Sequence, residues 1–113
     1  MSQPILEVDV TKLPAELPSD LVGLDVREDD EWKAGHVEGA VHLPLMQLPP
    51  RLSELPEDAR LLVVCKVGGR SSQATAFLQA QGRDVVNLAG GMQAWEAARR
   101  PMVADTGAPA QVV

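Results

Sequence analysis

The chain has 113 residues, 45% of them hydrophobic and 23% charged, which fits one ordinary globular domain and leaves no room for two. Its 10 Lys and Arg against 16 Asp and Glu give a net charge of −6, which argues against general phosphate-backbone binding and against a polybasic membrane surface. Trp32, Phe77 and Trp95 are the only aromatics, too few to stack single-stranded nucleic acid, and the single cysteine, Cys65, excludes an internal disulfide and a multi-cysteine zinc site.

No apolar run approaches the ~20 residues of a membrane span. Met1-Ser2-Gln3-Pro4 lacks the basic and apolar regions of a signal peptide. The expectation is a soluble cytoplasmic protein whose lone thiol stays reduced, with no metal, no cofactor, no nucleic-acid or membrane partner, and a monomeric state.

Leu6, Val8 and Val10 alternate with Glu7 and Asp9, which predicts a half-buried strand at a sheet edge. Leu21 to Val26 reads as a buried strand. Glu28 to Glu31 puts four acids at the start of a short helix, where the helix dipole favours them, and Gly35 is placed to end it as the C′ residue. Ala40 to Leu43 predicts a short strand stopped by Pro44. Leu45, Leu48, Leu52 and Leu55 recur at helical steps, with a short helix starting at Pro49-Pro50.

Leu61 to Cys65 is apolar on both faces, as a central parallel strand should be. Ser71 or Ser72 opens a helix with Ala74, Phe77 and Leu78 on one face, and Gly82 ends it. Val85, Val86 and Leu88 form another strand, and Gly90-Gly91 turns the chain. A last helix begins at Met92 and Trp95, carries Arg99 and Arg100 in its final turn, and stops at Pro101. Residues 1–101 make up the domain, and 102–113 are expected to be a disordered tail. Strands alternating with helices imply an α/β fold with a parallel sheet covered on both faces.

Ligands of such sheets bind beyond the carboxyl ends of the strands, and Cys65 ends the best central strand. Gly68 and Gly69 can take positive φ, and the helix that follows aims its positive dipole end at the thiol. Lys66 and Arg70 add cations to an acidic chain. Together these features favour a thiolate in a nest of backbone N–H groups from Lys66 to Arg70. Asp25 is placed to accept from loop amides and Arg27 to pair with an acid, both in supporting roles. His36 reads as a structural hydrogen-bonder. Met92 and Trp95 read as core, and the four acids as a solvated helix start.

The run Cys65-Lys66-Val67-Gly68-Gly69-Arg70-Ser71 resembles the active-site loop of rhodanese-type sulfurtransferases. Leu24-Asp25-Val26-Arg27 with Glu31-Trp32, Gly35-His36-Val37-Glu38-Gly39-Ala40 with Pro44, and Gly90-Gly91 with Trp95 are similar to the family's other signatures, in the same order. The resemblance spans about residues 5–100. His42 departs from it, because the family often has Asn there.

The resemblance implies a rhodanese-like, five-stranded parallel sheet with helices on both faces, in a single-domain member. It also implies double displacement. Cys65 takes sulfur from an anionic donor such as thiosulfate, or from a persulfide, and hands it from a Cys65 persulfide to a thiol or to cyanide. The alternative is a persulfide carrier or interaction module supplied by a sulfur-relay protein. Four residues separate Cys65 from Arg70, whereas the related cysteine phosphatases have five. A cysteine phosphatase or a bare anion-binding domain therefore ranks below both readings.

Overall fold

The computed structural model of the protein describes residues 4–113; the first three residues, part of the segment lacking a signal-peptide pattern, lie outside the described residues. The strands are β1 (Glu7–Asp9), β2 (Leu21–Asp25), β3 (Val41–His42), β4 (Arg60–Val64) and β5 (Val85–Ala89), and the helices are α1 (Asp29–Ala34), α2 (Gly69–Ala80) and α3 (Gly91–Ala97). All pairings are parallel, in the order β1-β5-β4-β2-β3. The chain order alone carries α/β alternation, and the architecture is the expected one.

The central strand has two buried faces because its side chains alternate. Leu61, Val63 and Cys65 face α2, where they pack with Ala74 and Leu78. Leu62 and Val64 face the other way, against Met92 and Trp95 of α3. That alternation places the Cys65 sulfur on the α2 side, one residue past the end of β4. Met92 and Trp95 are core, as their spacing suggested.

Several boundaries differ from expectation. Neither Ser71 nor Ser72 caps α2; Gly68 does, in a left-handed conformation (φ 117) that glycine adopts without a Cβ penalty. At the other end Arg83 N–H bonds to Leu78 O and Gly82 N–H to Gln79 O, the Schellman pairing around a left-handed Gly82. The leucine-rich stretch forms two 3₁₀ segments, Leu45–Gln47 and Pro49–Glu54; the second starts at Pro49 as expected, but it is 3₁₀ and not α. Arg99 and Arg100 lie beyond α3. Arg99 is the left-handed C′ residue (φ 57), and Arg100 reaches the carbonyls of Leu13, Pro14 and Ala15 while stacking over Trp95.

Residues 102–113, expected as a disordered tail, instead lie as an arm against α1 and α3. His36 and Val103 exchange two backbone hydrogen bonds of 2.9 Å. Asp105 N–H bonds to Lys33 O and Gln111 N–H to Ala34 O, while Val112 N–H bonds to the Glu96 carboxylate. The arm therefore satisfies carbonyls that a helix end leaves without partners. It also explains Gly35: its φ of 175 is open to any residue, but an added Cβ would run into the Gln111 backbone.

Candidate active site

Cys65 is 1% exposed, and its sulfur sits in the concave turn between β4 and α2. The Gly68 amide donates to Sγ at 3.0 Å and the Ser71 hydroxyl at 3.2 Å. Burial pushes the thiol pKa up. The Ser71 hydroxyl, then the amides of Ser71, Gly68 and Val67, outweigh it and hold the thiol below its ordinary value. Of the amides from Lys66 to Arg70, that of Gly68 lies at hydrogen-bond distance from Sγ. The second donor is the side chain of Ser71, whose sequence position suggested a helix opener, and the positive φ belongs to Gly68 but not to Gly69.

Four hydrogen bonds fix the cradle from behind. Ser72 Oγ donates to Gly68 O at 2.6 Å, and Asn87 Nδ2 donates to Ser72 Oγ at 3.1 Å and to Glu7 Oε2 at 2.8 Å. Thr75 Oγ1 donates to Ser71 O at 2.7 Å. From the α3 side, Met92 N–H bonds to Cys65 O and Gln93 N–H to Lys66 O. The amides at the start of α3 are thus spent on the backbone of the thiol loop. Gly91 makes that approach possible: it has φ 58, and a Cβ there would meet the Cys65 and Lys66 carbonyls.

Arg70 is not free. Its Nη1 and Nη2 donate to both oxygens of Glu31 at 2.6 and 2.9 Å. Glu31 also accepts from the Glu28 amide, closing a capping box at the start of α1. Of the four clustered acids, Glu28, Asp29 and Asp30 are solvated, and Glu31 alone turns inward. The capping spacing Glu28-x-x-Glu31 was the one sequence signal that set it apart. Lys66 is half-buried and makes no ion pair among the described residues, and Val67 is exposed.

Asp25 and Arg27 are both fully buried, and they pair with each other: Arg27 Nε and Nη2 and its own amide all reach the Asp25 carboxylate. Asp25 therefore accepts from one amide, that of Arg27, and from no amide of the thiol loop. Register places Asp25 beside Val64, the residue before Cys65. Arg27 Nη2 also donates to Gly35 O at 2.7 Å, so the pair ties β2 to the end of α1.

His36 donates from Nδ1 to Trp32 O at 2.7 Å, the structural role its position suggested. His42, which has no role in the sequence reading, donates from Nε2 to Arg27 O at 2.8 Å. Trp32 stacks against both imidazoles, with centroids 3.6 and 4.7 Å away.

A parallel α/β sheet with a hydrogen-bonded thiol in the turn after its central strand defines a class of cysteine-centred domains. Residues 10–98 match the rhodanese-like domain model, and the chain belongs to that family. It is 38% identical over 104 residues to a sulfurtransferase of Allochromatium vinosum, covering 89% of this chain and 97% of that one. The fold matches a rhodanese-related protein of Thermoplasma volcanium with TM-score 0.81 and 30% identity, over 87% of this chain and 97% of that chain. It also matches part of a NAD-dependent persulfide reductase from A. fulgidus, with TM-score 0.67 and 35% identity, over 80% of this chain and 16% of the reductase.

Proposed function

We propose that this protein moves sulfane sulfur through a persulfide on Cys65. The observation that carries the reading is the pair of donors on Sγ, Gly68 N–H and Ser71 O–H, in a turn whose amides favour the thiolate. The thiolate attacks the outer sulfur of thiosulfate or of a persulfide. The S–S bond of the donor breaks, and its electron pair leaves with sulfite or with the donor thiolate. The outer sulfur stays on Cys65. A thiolate or cyanide then attacks that sulfur, and the Cys65 thiolate is regenerated.

In this reading Cys65 is the nucleophile and the backbone from Lys66 to Arg70 is the cradle. Gly68 N–H holds charge on sulfur as an oxyanion hole does on oxygen. Ser71, Asp25 and Arg27 support that geometry. Relatives named as sulfurtransferases, matched over nearly their whole length, favour a transferase. The donors on Sγ favour the thiolate without a separate base, and the histidine ring nitrogens that hydrogen-bond do so to the backbone carbonyls of Trp32 and Arg27.

The test is the intact mass of the reduced protein after incubation with thiosulfate or a persulfide, before and after cyanide. One added sulfur, removed by cyanide with release of thiocyanate and absent in Cys65→Ser, is the expected result. A folded protein that gains no sulfur from either donor would falsify the proposal.

A further inference from the structure

The cation that the thiol loop would turn toward an anionic donor is already engaged. Arg70 holds Glu31 through two hydrogen bonds of 2.6 and 2.9 Å, and the Glu31 side chain is only 14% exposed. The Arg70 hydrogen bonds outweigh burial and hold the Glu31 carboxyl down at about 2, so the pair stays ionised and jointly neutral wherever a thiolate exists. Glu28 adds negative charge close enough to act on Arg70, and exposed Asp29 and Asp30 stand on the same helical turn. Against these, the loop retains one cation without an ion pair among the described residues, Lys66.

Thiosulfate reaches such a site as a dianion, and its leaving group, sulfite, departs as one. A hydropersulfide RS–SH brings less charge: the Cys65 thiolate attacks its outer sulfur, the S–S bond breaks, RS⁻ leaves, and Cys65 carries S–SH. We infer that Glu31 determines the donor class by neutralising Arg70, disfavouring the thiosulfate dianion and selecting hydropersulfides whose R group is not negatively charged. This rests on the sulfur-transfer reading above, and Glu31 acts through Arg70 as a positioning residue.

The experiment compares the rates at which Cys65 gains sulfur, by intact mass, from thiosulfate and from the hydropersulfide of 2-mercaptoethanol. Glu31→Gln is the variant, because glutamine also serves at this position of a capping box. The thiosulfate-to-hydropersulfide rate ratio is expected to rise on the order of tenfold in the variant, the low end for one freed positive charge acting on a dianion. An unchanged ratio, with both rates falling together, overturns the inference and leaves Glu31 a scaffold.

The wild-type protein supplies a second readout that needs no mutation. Its loading from thiosulfate should hold or quicken as ionic strength rises, since no net positive field is being screened. A steep fall with salt overturns the inference while leaving sulfur transfer intact. Loading from neither donor removes the sulfur-transfer reading itself, and this inference with it.

Discussion

Asn87, buried in β5, donates to the Ser72 hydroxyl at 3.1 Å, and Ser72 in turn donates to the carbonyl of the residue whose amide holds the Cys65 sulfur. The sheet is thereby connected to the cradle by side-chain hydrogen bonds as well as by the chain. Asn87→Ala removes the donor and takes one partner each from the half-buried Ser72 hydroxyl and the exposed Glu7 carboxylate. The expected cost is about 0.5–1.5 kcal/mol in denaturant unfolding, with sulfur loading slowed in protein that is still folded. Unaltered stability and loading would show that the connection carries no energy.

Ser71→Ala tests the thiolate. The hydroxyl stabilises the charged sulfur, so its loss raises the Cys65 pKa. Thiolate absorbance titrated against pH should move its midpoint upward. The pH profile of sulfur loading should follow. A midpoint that stays fixed would assign the lowered pKa to the amides alone.

The two loop glycines should behave differently on substitution by alanine. Gly68 sits at φ 117, where a side chain is strained by roughly 1–3 kcal/mol. Gly69 lies in α2, and a Cβ there meets nothing within 4 Å. Gly68→Ala should lower the unfolding midpoint and misaim the amide on Sγ. Gly69→Ala should be neutral or stabilising, by up to about 1 kcal/mol. Equal effects on thermal unfolding would contradict the assignment of strain.

Arg99 is the converse case, an exposed non-glycine residue in the left-handed cap of α3. Its own amide and that of Arg100 make the two Schellman bonds, Arg99 N–H to Glu96 O and Arg100 N–H to Trp95 O. Arg99→Gly keeps both bonds and relieves a cost of about 1 kcal/mol. A raised thermal midpoint is expected; a lowered one would mean the arginine side chain contributes more than its backbone costs.

The Glu31–Arg70 pair gives stability a pH dependence of definite sign. The folded carboxyl is held at about 2, below the ordinary 4.5, so the pair stabilises the fold above pH 4.5 and loses that contribution as pH falls toward 2. Urea midpoints measured across this window should fall more steeply for the wild type than for Glu31→Gln. Parallel curves would place the pair outside the stability balance.

The sequence was most legible where apolar pattern and backbone demand coincide. Leu61 to Val64 could only be a strand buried on both faces, and Cys65 follows it by one residue. What escaped was carried by backbone or by pairing. The amides of Asp105 and Gln111 complete α1 through main-chain bonds that any non-proline residue can make, so residues 102–113 showed no pattern. Arg70 carried the right charge in the right place, but its engagement by Glu31, 39 positions earlier, depends on how α1 sits against the loop. The serines at the start of α2 suggested a cap; Gly68 took that place, freeing one hydroxyl for sulfur and the other for the loop carbonyl.

The two outermost strands are also the shortest, with three residues in β1 and two in β3. An unpaired strand edge is a template on which a second chain can extend the sheet, and long, flat, apolar edges are the ones that aggregate. Here β1 turns Glu7 and Asp9 to solvent, and the two residues of β3 offer a second chain little edge to pair with. Combined with a net charge of −6, these edges protect the folded protein from ribbon-like self-association at high concentration.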